Sequence, residues 1–264
     1  GASRMPDRSA YELVVAGGGS GGIGAGLSAA RTGVRTLLLE RAARLGGTAT
    51  RGGVHCWEMG AGGTGLPFEI YKRLKQTPNA VGIYSFGRHF NWQEAWYWPD
   101  RLDKVNFPGG ETVIDRGRRY LDTLRRHPPG GRKPDEAWCR AHWHGVVFEP
   151  DVYAHVVQEL LAETGCATVR LGTSFCRVHA DANRIEALDL DDGTTVRARA
   201  FLDATGDGAL CTACGCEALQ GADARTRFGE PGAPEEASRR LNGVSLIYRV
   251  TPVATAAVEQ IGRA

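Results

Sequence analysis

Short apolar runs and one long glycine-rich stretch alternate along the first forty residues. The run at 11–16 predicts a strand, 23–30 a helix, and 35–40 a second strand that ends on an acid, Glu40. Further on, Val152, Val156, Val157, Leu160 and Leu161 recur at helical spacing, predicting a helix over 150–164 that ends near Gly165. Short β-type runs follow at 169–171, 175–178, 185–190 and 195–201, with Asp191-Asp192-Gly193 between the last two reading as a hairpin turn. Strand, helix and strand, then a helix and more strands, is the pattern of an α/β protein.

Composition narrows the picture without redirecting it. The 264 residues carry a formal charge of +2, with arginines scattered rather than gathered into a stripe, which argues against nucleic acid as a partner. No run approaches the roughly 18 apolar residues of a membrane span, so no membrane partner is expected, and the expected location is the cytoplasm. Seven cysteines without the spacing of a small secreted scaffold fit reduced thiols.

The glycines between the first strand and helix explain more. Gly17, Gly19 and Gly22 stand in G-x-G-x-x-G spacing: the first allows a tight turn, the second lets backbone approach a pyrophosphate, and the third lets helix pack on strand. Ser20 and Gly21 lie inside the same loop and join the candidate cofactor-binding set. A phosphate there meets the free N–H groups and positive end of the helix. Glu40, a little over twenty residues on, is placed to accept hydrogen bonds from ribose hydroxyls and to repel a 2′-phosphate, which disfavours NADP. Gly24 and Gly26 each cost a helix about 1 kcal/mol relative to Ala, so close approach by sheet, ligand or another helix is expected at both.

Two later stretches, "ERAARLGGTATRGGVHCWEMGAGGTGLPFEIYKRL" and "RARAFLDATGDGALCTACGCEAL", separate a flavoprotein from a nicotinamide dehydrogenase. With the glycine loop, they resemble the FAD-dependent oxidoreductase family of the glutathione-reductase-like flavoprotein superfamily, in the branch with a Gly-Gly-Thr-Ala-Thr segment after the acid. The resemblance covers 11–76 and about 146–250. It implies FAD as cofactor, with Gly17, Gly19 and Gly22 facing its pyrophosphate and Glu40 its adenosine ribose. It also implies that Arg41, Gly46, Gly47 and Thr48 run towards the flavin, that Ala204, Thr205, Gly206 and Asp207 close the pocket from the other side, and that main chain near Phe175 meets adenine. The run into "DATGDG" independently supports that placement, since its end can sit beside the first glycine loop. For Asp203, capping of a turn and a ligand role stand side by side.

Candidate chemistry is thinner. His55 and Cys56 follow the Gly-Gly-Thr segment and are the candidate catalytic residues, as a proton shuttle or a covalent flavin link, against the alternative of polar loop residues. Cys211, Cys214 and Cys216 lack further ligands at metal spacing, so no metal is expected and they read as buried small hydrophobes. Tyr84, Phe86, Phe90, Trp92, Trp96, Tyr97 and Trp98 crowd one segment, suited equally to a substrate pocket and to a core or interface. His142 and His144 share one face of an extended chain, with the same alternatives.

The expectation is a Rossmann-like FAD-binding domain over 11–76 and 146–220, a parallel sheet with helices on both faces plus a small antiparallel sheet. Residues 77–145 are an inserted cap or substrate region, and 221–264 begin a substrate domain. The activity expected is hydride transfer between a small organic substrate and flavin N5. The resemblance also implies a late glycine-rich segment at the flavin end, expected here from a second subunit or a missing C-terminal portion. A flavin-binding subunit completed by a partner chain and a non-catalytic nucleotide-binding module are the alternatives.

Overall fold

The computed structural model describes residues 11–57, 65–85, 144–181, 184–241 and 243. The aromatic segment beyond residue 85 and His142 lie outside the described residues. The chain divides into two units, 1–218 and 219–264.

The first unit is built on a four-stranded parallel sheet in the order β10-β1-β2-β6, formed by Leu13–Ala16 (β1), Thr36–Glu40 (β2), Ala167–Leu171 (β6) and Ala200–Asp203 (β10). Every residue of β2 is buried, as expected of a central strand covered on both faces. The first crossover is helix α1, Ser20–Arg31. On one face Val15 and Leu38 pack against Ile23 and Leu27 of α1, Ile70 and Leu74 of α2 (Gly65–Leu74), and Val156, Val157, Leu160 and Leu161 of α3 (Pro150–Glu163). Helix α3 starts with Pro150, whose fixed φ suits a first turn, and Gly165 follows its end at φ +66°. Ion pairs Arg31–Glu69 and Arg73–Glu163 join α1 to α2 and α2 to α3 across the exposed surface.

The opposite face presents Val14, Ala16, Leu37 and Leu39 to a three-stranded antiparallel sheet and to Leu210 of the short helix α4, Ala209–Ala213. That sheet runs Phe175–Ala180 (β7), Ile185–Leu190 (β8) and Thr195–Arg197 (β9). The expected turn joins β8 to β9, with Asp192 Oδ1 accepting from the Thr194 amide at 2.9 Å and hydroxyl at 2.6 Å. A second antiparallel sheet, Cys56–Trp57 (β3), Val81–Ser85 (β4) and His144–Phe148 (β5), has the order β3-β5-β4. Trp57 lies 5.1 Å from Phe148 and Phe148 stacks at 4.7 Å on Tyr153 of α3. The α/β class is that expected, with helices on both faces of the parallel sheet and small antiparallel sheets beside it.

One expected strand divides. The sequence predicts one continuous strand over 195–201, but β9 pairs with β8 while β10 pairs with β1, the chain passing between layers at Ala198 and Arg199. Val196, Ala198 and Ala200 alternate with Arg197 and Arg199 straight across the change of partner, and the alternation breaks only at Phe201, inside β10, so the pattern puts no boundary at Ala198–Arg199. Gly24 also departs from expectation: no described atom comes within 4 Å of a Cβ built there, whereas at Gly26 the side chains of Leu161 and Leu38 lie at 3.7 and 4.0 Å. Gly24→Ala is therefore expected to raise stability by roughly 0.5–1 kcal/mol through helix propensity alone, read as a higher urea midpoint at unchanged slope.

The second unit holds one helical turn, α5 (Arg225–Phe228), and an isolated bridge between Ala222 and Ser238. Among the described residues no helix is long and apolar enough to cross a membrane.

Candidate functional site

The carboxyl ends of β1, β2 and β10 open into one cleft of about 1080 Å³. It lies where the connections after the adjacent strands β1 and β10 pass to opposite faces of the sheet, the usual ligand position in open α/β folds. Hydrophobic pairing fixes the strands, Ala16 opposite both Leu39 and Asp203, and this brings three loops distant in sequence to one place.

From β1, Gly17, Gly19, Ser20 and Gly21 line the cleft. Gly19 caps α1 in an extended conformation with no side-chain hydrogen bond, and no acidic residue occupies the first turn. The first helical bond runs from the Ile23 amide to the Gly19 carbonyl at 2.9 Å, so the amides of the preceding turn are left for a ligand. A Cβ at Gly21 would meet nothing within 4 Å and one at Gly19 only Gly47 Cα at 4.0 Å. The Ser20 hydroxyl is in hydrogen-bond contact with Tyr153, whose phenol burial pushes above its usual range. Gly22 is not in the wall; it sits directly under Gly17, the helix-packing role expected of a third glycine.

From β2, Glu40 is 7 % exposed and its carboxylate is already bonded: Oε2 accepts from the Gly18 amide at 2.8 Å and Oε1 from the Ala42 amide at 2.7 Å. Remaining acceptor capacity faces the cleft beside Arg41 and Ala42. The following loop returns to the glycine turn, with the Gly46 amide donating to Gly18 O at 2.8 Å, and Gly47 and Thr48 reach the wall. Arg44 is drawn away to Asp151 on α3.

From β10, Ala204, Thr205, Gly206 and Asp207 complete the opposite wall, and Phe175 stands in it with Thr173 and Ser174. Asp203 braces this loop: Oδ1 accepts from the Thr205 amide at 3.0 Å and hydroxyl at 2.7 Å, and Oδ2 from the Cys211 amide at 2.8 Å. Thr205 Oγ1 in turn accepts from the Ala209 amide at 2.9 Å. Of the two roles weighed for Asp203, the capping role has its partners.

Burial pushes the Asp203 carboxyl up, but the Cys211 and Thr205 amides and the Thr205 hydroxyl outweigh it and leave it below the usual carboxylate range. A carboxyl depressed on folding stabilises the protein above its unfolded pKa of about 4 and loses that contribution as pH falls through its folded value. Asp203→Asn is therefore expected to lower the melting temperature at pH 7, the gap to the parent protein closing towards pH 3; a gap independent of pH would contradict this.

Gly17, Gly19, Ser20, Gly21, Glu40, Arg41, Gly47, Thr48, Phe175, Ala204, Thr205, Gly206 and Asp207 thus share one cleft, while Gly22 and Gly46 shape its floor from behind. His55 and Cys56 are not in its wall; His55 Nδ1 lies 2.8 Å from Gly53 O, and Cys56 pairs with Val147 in β3. Sequence reasoning missed Arg51, Gly52, Thr173, Ser174 and Cys211. Arg51 matters most, because no carboxylate among the described residues pairs with this exposed cation in the wall. Its position after the Gly-Gly-Thr segment was the available signal. The three cysteines read as buried, Cys211, Cys214 and Cys216, are all exposed, because α4 ends at the surface beside the cleft.

A cleft open at a glycine turn, with uncapped amides, an arginine on the wall and a carboxylate positioned for hydroxyls, suits a dinucleotide. The family profile described as FAD dependent oxidoreductase matches residues 12–263. The 3-oxosteroid 1-dehydrogenase of Mycobacterium tuberculosis (strain ATCC 25618 / H37Rv) is 31% identical over 122 residues, 45% of this chain and 18% of that protein. The 3-oxosteroid 1-dehydrogenase of Mycolicibacterium smegmatis matches with the same identity over the same shares. The chain therefore spans less than a fifth of the curated relatives it matches. Among solved structures, P. aeruginosa PqsL in complex with 2-aminobenzoylacetate aligns over 80% of this chain and 47% of that one, at 16% identity and a TM-score of 0.45.

Proposed function

Because the chain belongs to the FAD dependent oxidoreductase family, we propose that its cleft holds the FAD dinucleotide and that the enzyme oxidises or reduces a small organic substrate by hydride transfer through flavin N5. The observation that carries this is the convergence of the α1 amides, Glu40 and the 204–207 loop on one cleft. Uncapped amides and Arg51 suit the pyrophosphate charge, and the open cradle at Gly19 and Gly21 leaves room for its oxygens. Glu40 would take ribose hydroxyls on the lone pairs that Gly18 and Ala42 leave open, and the wall at Thr173, Ser174 and Phe175 would receive adenine. When bound, FAD supplies the two-electron chemistry; the chain's residues bind it, orient it and exclude water.

The proposal extends to the glutathione-reductase-like branch and to the cytoplasm as the working compartment. Similarity to two 3-oxosteroid 1-dehydrogenases makes ring ketones of that kind the first substrates to try. His55 and Cys56, outside the dinucleotide wall, are reserved for the substrate end of the reading.

The test is a titration of the purified protein with FAD, followed by anaerobic addition of a 3-oxosteroid. Saturable uptake of one FAD per chain, with a perturbed flavin absorption band, is expected, and bleaching of that band would extend the reading to the steroid class. Saturable binding of NAD with none of FAD would overturn it.

A further inference from the structure

The backbone geometry of the cysteines around α4 is specific. The Cys216 amide donates to Cys211 O at 3.0 Å and the Gly215 amide to Thr212 O at 3.0 Å, with Gly215 at φ +80° and Cys214 as the C-cap. These two bonds define the turn that ends a helix by folding the second residue beyond its cap back over the residue three positions inside its end. In that turn the two outer side chains touch, commonly as an apolar contact; here both are thiols, Cys211 and Cys216. Backbones joined by such a bond fall in the separation a disulfide spans, roughly 4.4–6.8 Å between Cα atoms. Both residues are exposed, so a reagent can reach them. Among the described residues no group of three His, Cys, Asp or Glu is arranged to hold a metal ion, which removes the competing use of neighbouring thiols.

We infer that Cys211 and Cys216 are a modification site: they form a reversible intrachain disulfide at the rim of the cleft, made by exchange with a low-molecular-weight disulfide. One cysteine thiolate attacks the small disulfide, giving a mixed disulfide and releasing one small thiol. The second cysteine displaces the other. Two protein thiols are oxidised, the small disulfide is reduced to two thiols, and the two cysteine protons leave on them. Cys211 belongs to the cleft wall and its amide holds Asp203, so the bridge would fasten the residue that braces the pocket loop to the turn that ends α4. The inference stands apart from the identity of the dinucleotide.

Hydrogen bonding to Asp203 keeps the Cys211 thiol above its usual range, and burial does the same for Cys214, so exchange is best run at about pH 8.5, near the ordinary thiol pKa. The full chain is equilibrated anaerobically in mixtures of reduced and oxidised glutathione, quenched in acid, alkylated with iodoacetamide and cut with trypsin. All three cysteines fall in the single tryptic peptide 200–225. The expected result is a fall from three alkyl labels to one, the survivor on Cys214, in a peptide whose remaining pair is lighter by two hydrogens, with three labels restored by dithiothreitol. Cys214→Ser should keep the bridge and Cys216→Ser abolish it. Three labels at every glutathione ratio, a glutathione adduct on a single cysteine, or a bridge that includes Cys214 would each overturn the assignment.

Discussion

Gly22→Ala is expected to destabilise the protein by about 4 kcal/mol or more, which for a chain of this size lowers the melting temperature by roughly 10 °C. A Cβ at Gly22 would lie 1.8 Å from Gly17 O and 2.9 Å from Gly17 C, and both are backbone atoms of the turn that leads from β1 into α1. No rotamer change relieves such an overlap; the helix must separate from the strand end, opening a core in which Ile23 and Leu27 are 2 % and 0 % exposed. Gly17→Ala should act similarly, because its φ of +105° and a Cβ 2.3 Å from Ala204 O offend the same three-way junction. Gly21→Ala is the control: its Cβ lies within 4 Å of no described atom outside its own helix, so the melting temperature should hold or rise slightly, as for Gly24→Ala, while FAD affinity falls. Thermal scans of the three variants without cofactor decide the matter, and a Gly22→Ala protein that melts within about 1 °C of the parent would remove the packing argument.

The sequence displayed those features whose cause is local. Apolar runs bracketing G-x-G-x-x-G announce β1, α1 and β2, and Asp-Asp-Gly announces the β8–β9 hairpin because Asp192 bonds its own turn. Glu40 was legible as an acid at a strand end, but its bond to Gly18, 22 residues earlier, was not. What escaped depends on partners far along the chain. The change of partner between Arg197 and Ala200 falls within the alternating run Val196-Arg197-Ala198-Arg199-Ala200, and β3 needs residues 144–148 to become a strand at all. Arg51 enters the wall only because the loop around Gly46 folds back on the glycine turn. The cysteines looked like core residues by composition alone, since nothing in "CTACGC" says that α4 stops at the surface.

Glu40 performs two tasks that one substitution can separate. Its carboxylate closes a buried bridge from the Gly18 amide to the Ala42 amide, so it holds the glycine turn against the end of β2 whether or not a dinucleotide is present. Glu40→Gln keeps the shape but sets an NH₂ donor against one of the two amides, leaving a buried donor facing a donor. Charge-assisted bonds of this kind contribute about 1.5–3 kcal/mol, and the loss should appear as a lower urea midpoint in protein free of FAD. FAD affinity should fall as well, by roughly 10–100-fold or about 1.4–2.8 kcal/mol, since the ribose loses an ionised acceptor and the turn beneath the pyrophosphate loosens. Glu40→Asp keeps the charge one methylene short of both amides and is expected to lose stability too, whereas a residue serving the ribose alone would leave the cofactor-free protein unchanged in both variants. Equal urea midpoints for all three proteins, with only FAD binding reduced, would therefore strip Glu40 of its structural task; reduced midpoints with FAD affinity intact would instead remove the ribose contact from the proposed function.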